Sequence, residues 1–209
     1  MSHIRRAGEQ THPDTKARRF VFVLLDDFTL LSFASALDCL RLANRRAGRS
    51  IYEWTLVGDG GGTVVSSTDT EIKLDGDLCE LHRDDTIVLC GGTNIQKATS
   101  KKLINWVRRE SRKGAKIAGL CTAAYVVAKA GLLDGKSATI HWENQDSFSE
   151  EFPEVELRKS VFTIDGNRMT TAGGTSSLDM FLYKSSELKE RQRRTRLADQ
   201  QIYSSIPTD

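Results

Sequence analysis

Cys121 stands between an apolar five-residue run, Lys116 to Leu120, and a stretch of small and apolar residues that starts at Thr122. This is the layout of a nucleophile elbow, in which a sharp strand-to-helix turn holds one side chain in strained backbone geometry. At the head of a helix the dipole favours thiolate over thiol, so the spacing predicts a lowered thiol pKa and a partly exposed, reactive sulfur. Gly119, Ala123 and Ala124 leave room for the turn. Free cysteines are ordinarily buried core residues, and Cys39, Cys79 and Cys90 read that way. Position sets Cys121 apart.

Three further loops carry residues of the right type. Gly91-Gly92-Thr93 follows the apolar run ending at Cys90, and the glycines could bring N–H donors close to an oxyanion or a carboxylate. His141-Trp142 follows Ala138 to Ile140, placing the imidazole at the end of the next strand and across the sheet from the thiol. Thr171-Ala172-Gly173-Gly174-Thr175 follows Met169 and Thr170. Alone, the glycine pair would be a plain turn and His141 a structural histidine. With Cys121 they converge on one crevice, because ligands of an open parallel sheet bind outside the carboxyl ends of its strands.

The elements that must position these loops alternate along the chain. Strands are expected at Phe20–Leu25, Tyr52–Gly58, Thr86–Cys90 and Lys116–Leu120; helices are expected at Leu31–Arg45, Ser100–Lys113 and Thr122–Leu132. Such alternation signals an α/β domain with a mostly parallel sheet flanked by helices. Two hairpins look appended to it, one joining Thr63–Ser67 to Glu71–Leu74 and one joining Val155–Ile164 to Arg168–Thr171. A last helix is expected to begin after Gly174 and run to about Ile202, although the charged run Lys189 to Arg194 could break it in two. Residues 1–18 are polar and aperiodic and read as a disordered leader, leaving 19–209 as one domain.

The chain has 209 residues, and Lys+Arg 30 against Asp+Glu 28 gives a net charge of +2. So even a balance excludes a domain whose own surface grips nucleic acid phosphates. The longest apolar runs fall well short of the roughly 20 residues that a membrane-spanning helix requires. Four cysteines without a C-x-x-C pair, and no early apolar run, fit a reducing cytoplasm. No pattern calls for a metal or a cofactor.

The segments GLCTAAYVVAKAGLLDGKSATIHWEN, FPEVELRKSVFTIDGNRMTTAGGTSSLDMFL and VFVLLDDFTLLSFASALDCLRLANR closely resemble the amino-terminal domains of GlxA-type AraC/XylS-family regulators, over nearly all of residues 19–206. Those domains are similar to ThiJ/PfpI proteins and class I glutamine amidotransferases, which implies a flavodoxin-like sheet. The resemblance implies a domain that senses a small effector, amino-acid-like or quaternary ammonium. It also implies a homodimer that reaches DNA only through a helix-turn-helix domain, joined by a linker that would start near Asp209. Catalytic relatives pair the elbow cysteine with a histidine or an acidic residue from the loop after the first strand. Matching L-L-S-F-A-S places Ser32 where isocyanide-hydratase-like enzymes carry an aspartate, and Ala123 replaces a common glycine. Without that acid the thiol loses proton transfer and positioning, although Asp26, Asp27 and Glu143 lie near enough in sequence to substitute. The expected ligand site comprises Ser32, Phe33, Gly91, Gly92, Thr93, Cys121, Thr122, His141, Trp142, Gly173, Gly174 and Thr175. Cys121 and His141 would be the catalytic pair of a cysteine-dependent hydratase or amidohydrolase.

Overall fold

The computed structural model describes residues 17–186. Its strands in chain order are β1 (Arg18–Leu24), β2 (Tyr52–Gly58), β3 (Thr63–Val65), β4 (Glu71–Lys73), β5 (Gly76–Asp77), β6 (Thr86–Cys90), β7 (Lys116–Leu120), β8 (Ser137–Ala138), β9 (Glu156–Leu157), β10 (Phe162–Asp165) and β11 (Arg168–Thr171). The helices are α1 (Leu30–Ala47), α2 (Ile95–Ala98), α3 (Lys101–Arg112), α4 (Ala124–Lys129) and α5 (Gln145–Glu151), and residues 176–186 are also helical.

Seven strands form the main sheet in the order β10-β11-β7-β6-β1-β2-β5. All of its pairings are parallel except that of β10 with β11. The central strands are continuous apolar runs because both faces are covered. Val21 and Val23 of β1 pack with Leu103, Trp106 and Val107 of α3 and with Val126 and Val127 of α4. Phe22 and Leu24 point the other way, toward Phe33, Ala36 and Leu40 of α1 and toward Met180 and Phe181. Alternation of period two thus splits one strand between two cores. In α3 the buried positions Leu103, Trp106, Val107 and Glu110 follow helical spacing, and the Ser100 hydroxyl caps the helix by accepting from the Leu103 N–H at 2.9 Å.

Several expectations need correction. The second hairpin is not an appendage: β11 pairs in parallel with β7 inside the main sheet, and only β10 is an added antiparallel edge. The first, β3 with β4, is a separate antiparallel pair as expected. The strand expected before His141 is only Ser137–Ala138 and pairs with β9 in its own small sheet, so His141 does not end a main-sheet strand. The helix after Cys121 is shorter than expected, a 3-10 turn at Cys121–Ala123 followed by six α-helical residues. Strand β1 begins two residues earlier than expected and ends one earlier, at Leu24, with the Arg18 N–H bound to the Ile51 carbonyl. The rest of the expected leader, and the continuation of the last helix expected past residue 186, lie outside the described residues.

Candidate functional site

Cys121 sits at the carboxyl end of β7 with φ +61, a left-handed backbone that a residue with a side chain seldom adopts. The expected elbow is present. Its strain is held by neighbours on both sides: the Cys121 N–H donates to Thr171 Oγ1 at 3.4 Å, and the Cys121 carbonyl accepts from the His141 N–H at 3.3 Å. Thr171 Oγ1 also accepts from the Gly173 N–H and pairs with the Ser177 hydroxyl, tying the loop after β11 to the elbow. Gly173 lies so close that a Cβ there would come within 2.9 Å of the Cys121 sulfur.

That cover decides the state of the sulfur. Cys121 is only 4% exposed, not partly open as its position in sequence implies. Burial pushes its thiol above the ordinary cysteine value; the Thr29 hydroxyl and the Thr122 N–H pull the other way, and the Glu143 charge adds to the rise. The expected lowering by a helix dipole therefore fails, since desolvation outweighs the short helix that follows.

The side chain that reaches the sulfur from the loop after β1 is Thr29, whose hydroxyl donates to Cys121 Sγ at 3.4 Å. Thr29 is the N-cap residue of α1 but makes no side-chain cap; its hydroxyl is turned to the thiol instead. Ser32, expected in that place, is fully buried one turn further on, and its hydroxyl accepts from the Gly174 N–H at 2.8 Å. Sequence reading missed Thr29 because a threonine just ahead of a helix looks like an ordinary cap. The acidic candidates do not replace it. Asp26 is exposed, and Asp27, with φ +60, accepts from the Asn94 side chain at 3.2 Å.

The glycine pair is packed against the elbow. A Cβ on Gly92 would meet the Asp27 carbonyl at 2.0 Å, and one on Gly91 would meet the Ala123 nitrogen at 2.7 Å, so close backbone approach excludes any side chain at either. The Gly91 N–H, expected as a free donor, is bound to the Leu120 carbonyl at 3.3 Å, and the Thr122 hydroxyl donates to the Gly92 carbonyl at 2.7 Å. Only the Gly92 N–H of this pair has no acceptor among the described residues. Thr93 and Thr175 are exposed on the two flanking loops. Phe33 faces the core, its ring edge-on to Phe22 and Phe28.

His141 is tied to the elbow through its backbone. Its Nδ1 lies 3.8 Å from Glu143 Oε2, and no hydrogen bond joins the imidazole to the Cys121 sulfur among the described residues. Cysteine and histidine are brought together as neighbours but not as a proton-transferring pair. Cys39 and Cys90 are buried as expected, whereas Cys79 is half-buried. No group of three or more metal-binding side chains occurs among the described residues.

Residues 18–188 match the model of the DJ-1/PfpI family. The chain belongs to that family. It is 35% identical over 185 residues to the HTH-type transcriptional regulator GbdR of Pseudomonas aeruginosa, covering 88% of this chain and 50% of GbdR. It is 34% identical over 195 residues to the HTH-type transcriptional regulator GlxA of Rhizobium meliloti, covering 90% of this chain and 59% of GlxA. The chain thus spans between half and three-fifths of these curated relatives. Among solved structures, an AraC family transcriptional regulator from Pseudomonas putida superimposes with a TM-score of 0.71 at 28% identity, over 82% of this chain and 92% of that one. The DJ-1/PfpI fold is therefore here in the form that regulators also carry.

Proposed function

We propose that residues 19–209 are the effector-binding domain of an AraC-type transcription regulator, preceded by a leader at 1–18. A small metabolite bearing a carboxylate or amide, amino-acid-like or quaternary ammonium, binds over Cys121 in a site formed with Gly92, Thr122, His141, Trp142 and the Gly173–Thr175 loop. Binding alters a cytoplasmic homodimer that engages DNA through a helix-turn-helix domain outside this chain. The regulators among its relatives, and the share of their length it spans, support the reading. The observation that carries it is the Thr29 hydroxyl on the Cys121 sulfur. A threonine, with a pKa far above neutrality, cannot take the proton that activation of a buried thiol would require. Among the described residues no helix is long and apolar enough to cross a membrane.

The strained elbow itself favours a second reading, a cysteine hydratase or amidohydrolase. Hydrolysis of amides and hydration of isocyanides and glyoxal by wild-type, Cys121→Ala and Thr29→Glu proteins separate the two. The sensor reading expects no turnover by wild type, ligand binding by Cys121→Ala with altered affinity, and activity at most in Thr29→Glu. Robust wild-type activity that disappears in Cys121→Ala would overturn it.

A further inference from the structure

Thr171 Oγ1 accepts from the Cys121 N–H and from the Gly173 N–H, both at 3.4 Å, and stands 3.2 Å from the Ser177 hydroxyl. A hydroxyl oxygen has two lone pairs and one hydrogen. With both lone pairs facing the two N–H groups, Thr171 donates its hydrogen to Ser177. Both side chains are fully buried, so parting them would strand a polar group away from solvent.

Ser177 lies in the first turn of the helix at 176–186. Its neighbour Ser176 reaches back to the same loop, donating its N–H and its hydroxyl to the Gly173 carbonyl at 3.3 and 2.6 Å. Gly173, with φ +94, covers the sulfur so closely that a Cβ there would lie 2.9 Å from Cys121 Sγ. Any group seated on the sulfur needs the space that Gly173 fills. Gly174, with φ +58, is pinned to α1 through Ser32, so a displacement of Gly173 reaches the helix by way of the two serines.

We propose that Ser176 and Ser177 couple the Cys121 site to the helix at 176–186: the loop shut over the sulfur keeps the start of the helix fixed, and a group seated on the sulfur lifts Gly173 and loosens it. The role of the helix as the reporting element rests on the reading of Cys121 as part of a binding site. Coupling between two places is reciprocal. Loosening the start of the helix must therefore also uncover the sulfur.

Iodoacetamide supplies such a group, since the thiolate displaces iodide and a carbamidomethyl group stays on the sulfur. The 209-residue protein is alkylated at about pH 9, where more of a thiol is ionised, and labelling is read by mass spectrometry and backbone mobility by hydrogen–deuterium exchange. A Cys121→Ala protein treated alike subtracts the labelling of the other cysteines. Modification of Cys121 should raise exchange in peptides covering 175–186 at least about fivefold, the lower end of coupling between sites, with α3 unchanged. Ser177→Ala, and Ser176→Ala as a second variant that leaves the buried Thr171 pair intact, should each label Cys121 at least about fivefold faster than wild type. Wild-type labelling rates in both variants would overturn the coupling, and so would a modified Cys121 with unchanged exchange at 175–186. A rise of equal size in α3 would overturn it as well, by assigning the effect to general unfolding. Each of these failures leaves the binding reading of Cys121 in place, because that reading fails on a separate observation, wild-type turnover that disappears in Cys121→Ala.

Discussion

At the scale of single residues, the Thr29–Cys121 contact sets the chemistry. Thiolate is the reactive form of cysteine, and burial disfavours it at Cys121. Alkylation by iodoacetamide at pH 7.5, followed by mass spectrometry, should therefore label half-buried Cys79 ahead of Cys121, the reverse of what the elbow position in sequence implies. The Cys121 rate should climb with pH and show its inflection above the usual thiol range. Thr29→Val removes a donor that favours the thiolate, so the inflection should move further up; an inflection that moves down would mean that Thr29 does not act on the sulfur. Ser32→Ala should leave it in place, because that hydroxyl serves Gly174.

At the scale of elements, loops are locked together around the elbow by contacts that tolerate no added atoms. Gly92→Ala would drive a methyl into the Asp27 carbonyl, and backbone on backbone cannot yield without moving the loop after β1. We expect a loss of about 1–3 kcal/mol, the range for overpacking, read by urea denaturation, together with loss of ligand binding. On the opposite face of the sheet, Glu110 of α3 is wholly buried and accepts from the Leu81 N–H at 3.3 Å, with Arg109 and Lys113 beside it. Burial pushes its carboxyl up, but Arg109, Lys113 and the Leu81 N–H together hold it below the usual glutamate value. Its contribution is therefore present above an unfolded-state pKa of about 4.3 and is lost as pH falls through the lower folded value. Glu110→Ala should cost about 1–3 kcal/mol at pH 7, by stranding the buried Leu81 amide. The deficit relative to wild type should shrink below pH 4; a deficit independent of pH would assign the loss to packing alone.

At the scale of the whole molecule, the proposal of a regulator carries an assembly. Helix-turn-helix proteins read half-sites related by two-fold symmetry, and soluble oligomers most often share it. Light scattering of the isolated chain at micromolar concentration should give about twice its 23.3 kDa mass. A monomer at every concentration would count against the dimeric sensor. Exposed Leu31, Leu42, Leu182 and Tyr183 provide positions for charge substitution once the dimer has been measured.

The sequence by itself determined the parallel α/β core. Thr86–Cys90 and Lys116–Leu120 were legible to the residue because strands buried on both faces read as short, nearly continuous apolar runs, and Tyr52–Gly58, only partly buried, was legible from its aromatic and β-branched residues bounded by a glycine. It also located the elbow, since a strand, a cysteine and a run of small residues are local features of one stretch of chain. Tertiary structure alone decided that β11 joins the sheet beside β7 instead of standing apart in a hairpin, because pairing depends on a partner about fifty residues away. It decided that Thr29 and not Ser32 meets the sulfur, which turns on where α1 starts and hence on which way each hydroxyl points. It decided too that Cys121 is covered, because the cover is Gly173, a residue with no side chain to announce it, brought over the thiol by the end of another strand.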